Sequence, residues 1–438
     1  MRTYTGEEKL KYQAEHAFPK GITKITDGVY FALGFGGSTC TLIEGETGCI
    51  LVDTLNGADV AREAKAEFEK ITTKPIKHII YTHYHHFDHT SGAGIFADET
   101  TEIIGHLPPY PQYGHSHHLK QAYGIRGGRQ FGAGLTPEEN ICVGIGPLND
   151  NNGEKADLPP NRLFAEKELT FILEGVKFIL TEAPGETDDQ IFVYLPEKDV
   201  LICGDNYYAS WPNLYAIRGG QYRDISAWVD ALAKMRDLNA SYLLPGHTQA
   251  IIGKESVKET LSNYHDAIVF VLEETLKGMS QGKTMDQLAW EIKLPQHWAQ
   301  LPYLQEFYGT VEWTVRSIYT GYLGWFDGNA TKLGTMNPKE KACKTLALMG
   351  GAETLLKEIS HALALEEDQW AAELCDILLE AEQSVTEASE QKAKALMHLG
   401  RSSTSANGRH YYISCAKELL GAGTTQIMNG AVADVEKK

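Results

Sequence analysis

Positive charge is scarce in this 438-residue chain: 40 lysines and arginines stand against 58 aspartates and glutamates, a formal net charge of -18. The deficit argues against a nucleic-acid ligand, because a phosphate backbone is bound chiefly through lysine and arginine. An anionic small substrate stays open, since a few cations inside a pocket outweigh a distant negative surface that salt screens over roughly 10 Å. Long apolar runs are missing too. With 42% apolar residues and no uncharged stretch of bilayer length, the chain is expected to be soluble, and there is enough of it for two domains. The start, Met1 to Lys9, lacks the basic and apolar regions of a secretory signal, so a cytoplasmic location is expected. Cysteine is sparse: Cys40, Cys49, Cys142, Cys203, Cys343, Cys375 and Cys415 are odd in number and form no C-x-x-C pair, which fits reduced thiols.

Histidine, by contrast, is concentrated. In Ile79-Ile80-Tyr81-Thr82-His83-Tyr84-His85-His86-Phe87-Asp88-His89-Thr90-Ser91-Gly92, an apolar run of buried-strand type leads into four of the sixteen histidines and an aspartate. Imidazole nitrogens and a carboxylate at the end of a strand can converge on a cation, and this borderline N/O donor set suits zinc better than magnesium or calcium. The same design recurs downstream. Lys177 to Leu180 precedes Pro184-Gly185-Glu186, Val200 to Cys203 precedes Gly204-Asp205-Asn206, and Ser241 to Leu244 precedes Pro245-Gly246-His247. Each is an apolar strand, a glycine turn and a residue able to ligate a metal.

The order of these motifs resembles the metallo-β-lactamase superfamily, which gathers its ligands at one edge of a two-sheet αββα sandwich. Asp205-Asn206 followed by Asn213-Leu214-Tyr215-Ala216-Ile217-Arg218-Gly219-Gly220-Gln221-Tyr222-Arg223-Asp224 narrows the resemblance to its zinc-dependent alkylsulfatases. The resemblance implies two zinc ions per chain. Glu186 takes the first-zinc position that most of the superfamily gives to histidine, with Glu182 ranked behind it. Asp88, His89 and His247 hold the second zinc, and Asp205 bridges the two, where alkylsulfatases more often carry glutamate. The family pattern is His-x-His-x-Asp-His, and the present motif is one residue longer. Counting from the strand gives His83 with His85 on the first zinc; counting back from Asp88 gives His86. The first is preferred, because the strand fixes the start of the loop, and His86 is the rival.

A binuclear zinc site lowers the pKa of a bridging water toward about 7, with Asp205 orienting it. The resemblance places Arg218 to clamp a sulfate, for which a guanidinium offers paired donors. Asn213 and Tyr215 are further substrate-binding candidates, and Arg223 is read as a surface or dimer residue. The implied activity is hydrolysis of alkyl sulfate esters; the alternative is a hydrolase of another ester, a lactone or an amide, β-lactams included.

Around these motifs the chain divides in two. Strand-like stretches from Gly28 to Asp53 read as a β-meander, with Asp53 a support for the site and not a ligand. The irregular aromatic stretch after Gly92 is expected to wall the active site. Within it His115, His117 and His118 lack both a strand and a neighbouring carboxylate, and read as a solvated or substrate-facing loop in preference to a further metal site. Residues 1–255 are assigned to an αββα catalytic domain. Residues 256–438 show only helical spacing and resemble the helical dimerisation domain of alkylsulfatases, so the fold class expected is α+β and the assembly a homodimer. The sterol-carrier-like module of full-length alkylsulfatases is not expected, since the sequence leaves no room for it after the helical region, and shorter, branched or different substrates are the expectation.

Overall fold

The computed structural model describes residues 3–107, 116–148, 154 and 156–421. Two sheets face one another. The first is ordered β1 (Gly21–Thr26), β2 (Val29–Leu33), β3 (Cys40–Glu44), β4 (Cys49–Val52), β5 (Ile76–Ile80), β6 (Glu102–His106) and β7 (Arg162–Phe164). It opens as the expected antiparallel meander and becomes parallel from β4 onward. The second runs β8 (Glu168–Leu173), β9 (Val176–Glu182), β10 (Ile191–Leu195), β11 (Val200–Gly204), β12 (Tyr242–Pro245) and β13 (Ile251–Ile252), with only the β11/β12 pair parallel.

The inner strands β4, β10 and β11 are apolar on both faces because both faces are covered, whereas β1 and β8 each keep exposed residues. Side chains alternate across a strand, and here each set finds its own core. Val52, Ile80, Ile202 and Leu244 point between the sheets, where they join Val29, Phe178 and Val193. Their neighbours Leu51 and Ile79 point outward against α2 (Ala58–Phe68) and α3 (Ala93–Phe96) through Ala61, Ala64 and Phe96. Leu201, Cys203 and Leu243 point to the opposite outer face.

Further helices complete the molecule: α1 (Thr5–His16) precedes the first strand, α4 (Lys120–Gln130) and α5 (Pro137–Asn140) follow β6, and α6 (Ile225–Asp237) links β11 to β12. Then come α7 (Lys254–Ser280), α8 (Met285–Glu291), α9 (Gln296–Ala299), α10 (Val311–Leu323), α11 (Pro338–Leu348), α12 (Ala352–Ala364), α13 (Asp368–Glu380), α14 (Val385–Ser402) and α15 (Ala406–Leu419). After β13 every element is helical among the described residues.

The boundary expected at residue 255 falls inside α7. Ala267, Ile268 and Val271 of that helix, with Leu288, Val315 and Ile318 of α8 and α10, share one core with Leu201 and Leu243. Helical periodicity reports that a stripe is buried, not what it is buried against. A separate core begins at α11 and holds Leu346, Ile359, Leu374, Cys375, Leu378, Leu396 and Ala416. Within it the helical spacing is interrupted at Gly350 (φ 88°), Gly351 (φ 90°) and Ser384 (φ 46°), residues of positive φ that end one helix and start the next. No helix of the described residues is long and apolar enough to cross a membrane, and all seven cysteines are free.

Candidate metal centre and active site

Five strand ends meet at one edge of the sandwich. The loop after β4 brings Asp53, that after β5 brings His83 to His89, that after β9 brings Glu186, that after β11 brings Asp205, and that after β12 brings His247. Three overlapping donor groups result, each with its ligand atoms within 4.8 Å of one another: Asp88, His89, Asp205 and His247; His83, His86 and Asp88; His83, Glu186 and Asp205. Asp205 is common to two of them. Its Oδ1 lies 3.3 Å from His89 Nε2, and its Oδ2 lies 3.4 Å from His247 Nε2 and 3.8 Å from His83 Nε2.

The other ring nitrogen of each of these histidines is held from behind. His89 Nδ1 is 3.0 Å from Asp53 Oδ2, His247 Nδ1 is 2.6 Å from the Gly37 carbonyl, and His83 Nδ1 is 3.2 Å from Thr82 Oγ1. With Nδ1 engaged, Nε2 is the nitrogen presented to the centre, as a carboxylate- or carbonyl-supported metal ligand requires. Asp53 acts as the support expected of it and is no member of the donor groups. It also accepts from the Thr82 N–H (2.8 Å) and hydroxyl (2.7 Å), tying β4 to the histidine loop. Its backbone sits at φ 58°, a left-handed conformation uncommon outside glycine and maintained here by those bonds. Gly246 is required for space: a Cβ there would lie 2.3 Å from Asp205 Oδ1.

Several of these atoms find no partner among the described residues. His83 Nε2, His89 Nε2 and both Asp205 carboxylate oxygens are buried and have no hydrogen-bond partner. A buried polar atom left unpaired costs roughly 1 to 3 kcal/mol, so four of them converging on one space fit metal ions. The electrostatics agree with a site shaped for positive charge. Burial alone would raise the Asp205 carboxyl, but the His247 and His89 rings hold it well below the usual range. Burial pushes Glu186 up to about 8, only partly offset by the Arg223 guanidinium.

Of the two rival histidines of the motif, His86 is the one that falls in a donor group. Asp189, at the end of the β9 loop, accepts the Tyr84 N–H (2.8 Å) and lies 2.9 Å from His85 Nδ1. Asp189 thus engages Tyr84 and His85, and His86 joins His83 and Asp88 while His85, favoured from the sequence, does not. His85 remains on the pocket wall. Burial opposes ionisation of Asp189, yet its hydrogen bond with His85 takes its pKa down to about 2. Glu182 stays outside the centre, 3.9 Å from His106.

Beside the donors opens a cavity of about 630 Å³. Asp88, Glu186 and His247 form its floor; Phe131, Val143, Ile145 and Leu148 line it with apolar surface; Arg218 and Tyr215 complete it. Asn213 does not reach it, being fully buried with its side-chain amide unpaired. Arg223, read from sequence as a surface residue, is buried and pairs with Glu186 at 2.5 Å, while also donating to the Asn213 carbonyl. Its basic side chain in a loop carried no sequence signal of that role, and neither did Asp189 beside Asp188. Asn206 clasps two ligand loops, donating to the Ala183 carbonyl (2.9 Å) and accepting from Gln190. Of the other histidines, His115 lies outside the described residues, and His117 and His118 fall in a short 3-10 turn, Ser116–Leu119, with His118 exposed and in no donor group.

Two facing sheets with helices outside and donors gathered at strand ends define a metallo-β-lactamase fold, and the model of the metallo-beta-lactamase superfamily matches residues 33–247. The alkyl sulfatase dimerisation model matches residues 284–421. Over 391 residues the chain is 36% identical to the linear primary-alkylsulfatase of Pseudomonas sp. (strain ATCC 19151), covering 87% of this chain and 74% of that protein. It is 29% identical to the (R)-specific secondary-alkylsulfatase of Pseudomonas sp., covering 95% of this chain and 65% of that one. A solved structure, that of the stereoselective inverting sec-alkylsulfatase Pisa1 from Pseudomonas sp., superposes with a TM-score of 0.87 at 26% identity, covering 96% of this chain and 68% of that one. The chain belongs to the alkylsulfatase family of the metallo-β-lactamase superfamily.

Proposed function

We propose that this protein is a metal-dependent sulfate ester hydrolase that uses two zinc ions, works as a cytoplasmic homodimer and takes substrates with an apolar tail. The ions would be held by His83, His86 and Glu186 on one side and by Asp88, His89 and His247 on the other, with Asp205 shared. Bound zinc supplies Lewis acidity and lowers the pKa of water toward about 7. The protein does the rest. Asp53, Thr82 and the Gly37 carbonyl hold three imidazoles in one tautomer, Arg223 offsets the charge of Glu186, and the apolar wall receives the tail and excludes water.

The observation that carries the reading is Arg218. It lines the cavity with Asp88 and Glu186, its Nη1 is buried without a hydrogen-bond partner, and no carboxylate pairs with it among the described residues. A guanidinium left free beside a metal cluster suits a bidentate anion such as a sulfate group. Its membership of the alkylsulfatase family supports the same substrate, and the dimerisation model supports the homodimer.

The test is Arg218→Lys, assayed on a sulfate ester and on an uncharged ester, with metal content and Tm measured alongside. Losing a charge-assisted contact of about 1.5 to 3 kcal/mol lowers kcat/KM on the sulfate ester about ten- to more than a hundredfold at unchanged metal content. Equal losses on both esters, or none on the sulfate, would move the reading to a hydrolase of another ester, a lactone or an amide. A stoichiometry near one metal in fully loaded protein would remove the binuclear site, and a monomer in sedimentation at micromolar concentration would remove the dimer.

A further inference from the structure

Arg218 has no ion pair among the described residues, so other contacts must hold it. Three contacts do. Its backbone N–H donates to Gln130 Oε1 at 2.9 Å, its guanidinium lies 5.6 Å from the Phe131 ring centre, and the Arg126 guanidinium donates to the preceding carbonyl, Ile217, at 2.7 Å. All three partners belong to α4 or the residue after it. Gln130 is fully buried, and its Nε2 has no partner among the described residues, within which the bond to Arg218 is the one its amide side chain makes.

Helix α4 is in turn fastened by α15, the last helix of the described residues. Arg129 forms a two-pronged pair with Glu418 at 2.9 and 2.6 Å. His410 is buried, with Nδ1 3.0 Å from the Gln130 carbonyl and Nε2 2.8 Å from the Asn140 carbonyl, so one ring spans the ends of α4 and α5. Arg409 Nε donates to the Glu139 carbonyl at 2.7 Å, and Lys417 pairs with the Glu139 side chain at 2.8 Å. The ends of α4 and α5 are thus held to the helical region by side chains of α15, and Gln130 is the point where that attachment reaches the Arg218 loop.

We propose that Gln130 is the positioning residue for Arg218, and that α15, through His410, fixes Gln130, so that the helical region takes part in substrate recognition as well as in assembly. This rests on the reading of Arg218 as the contact for the substrate's anionic group. The physical reason is the geometry of bidentate binding: a guanidinium on a long side chain loses rotamer freedom when it engages two oxygens, and a fixed backbone and a stacked ring lower that cost before the substrate arrives.

The test uses Gln130→Met, which keeps the volume and removes the acceptor, His410→Gln, which alters the support from α15, and Gln130→Met combined with Arg218→Lys. Each is made in the full-length, metal-loaded protein and measured for kcat and KM on a sulfate ester, inhibition by inorganic sulfate, metal content and Tm. Loss of one hydrogen bond in the positioning chain raises KM and the sulfate inhibition constant together, about three- to tenfold, with a smaller change in kcat and none in metal content. In the Arg218→Lys background Gln130→Met adds little, because the two act through one contact. A folded, metal-loaded Gln130→Met with wild-type KM and sulfate inhibition, or with effects that multiply those of Arg218→Lys, overturns the proposal; should that variant not fold, wild-type values in His410→Gln overturn it instead. If Arg218→Lys itself leaves the sulfate ester kinetics unchanged, the sulfatase reading falls and this inference with it, whereas loss in Arg218→Lys without loss in Gln130→Met removes the inference alone.

Discussion

The metal cradle and the pocket wall are built on different principles. Every donor in the cradle lies within nine residues of the end of a core strand, and the partners behind the rings, Asp53, Thr82 and Gly37, come from the same sheet edge. The wall made by α4 and α5 depends on helix α15, with Gln130 and His410 separated by 280 positions and Arg129 and Glu418 by 289. Strand ends locked by ladder bonds on both sides give the reacting groups fixed positions. A wall tied down from a distant helix can change its lining without disturbing them. On the proposed function, chemistry and specificity fall to separable parts of the molecule, and substitutions in the two parts are expected to fail in different ways.

The largest effect is expected at the centre of the cradle. Asp205→Asn removes a charge shared by two donor groups, and since a bound metal contributes several kcal/mol to charge stabilisation, kcat/KM falls by about three orders of magnitude or more with loss of bound metal. A metal-replete variant keeping more than a tenth of wild-type activity would break the contrast between cradle and wall. Next comes the neighbouring histidine pair. His86→Gln loses metal and at least a hundredfold in activity, whereas His85→Gln, which removes the pair with Asp189, keeps its metal and loses less than about tenfold, below the usual cost of a ligand's support. Metal analysis of the two variants decides the register, and the opposite ranking would restore His85.

That register shows where reading the sequence stops. The donors Asp88, His89, Glu186, Asp205 and His247 were legible because each follows an apolar strand and a turn, a local pattern. His85 and His86 were not separable, because the extra residue can be absorbed on either side, and the arbiter, Asp189, arrives from a loop about a hundred positions away. Arg223 was misread for the same reason: a basic residue near a helix start looks solvated until the fold brings Glu186 against it. Asn213 lies in a legible motif yet turns into the interior, since its own carbonyl is bound by Arg223 and its N–H by the Tyr208 hydroxyl. The helices of the second half were legible as helices, but α7, α8 and α10 reveal their attachment to the catalytic sheet only through packing.

The smallest expected effect on activity concerns acid, and it sharpens the comparison from the side of the wall. His410 joins α15 to both wall helices; burial, aided by Arg409, lowers its pKa to about 4, although the two carbonyls on its ring favour the charged form. An unfolded histidine titrates near 6.5, so between these values the unfolded chain binds the extra proton and the folded chain does not. The contribution is fully present above about pH 6.5 and is lost as pH falls toward 4, amounting to about 2 kcal/mol between pH 7.5 and 5. Urea unfolding at those two pH values should show wild-type stability dropping by that much more than His410→Gln, in which the side chain no longer titrates. Because the cradle is assembled without α15, metal content at pH 5.5 should be the same in the two proteins while the KM for a sulfate ester differs. Stability curves that run parallel in the wild type and the variant would mean that His410 is not the acid-sensitive link, and that the wall is held chiefly by the Arg129–Glu418 and Lys417–Glu139 pairs.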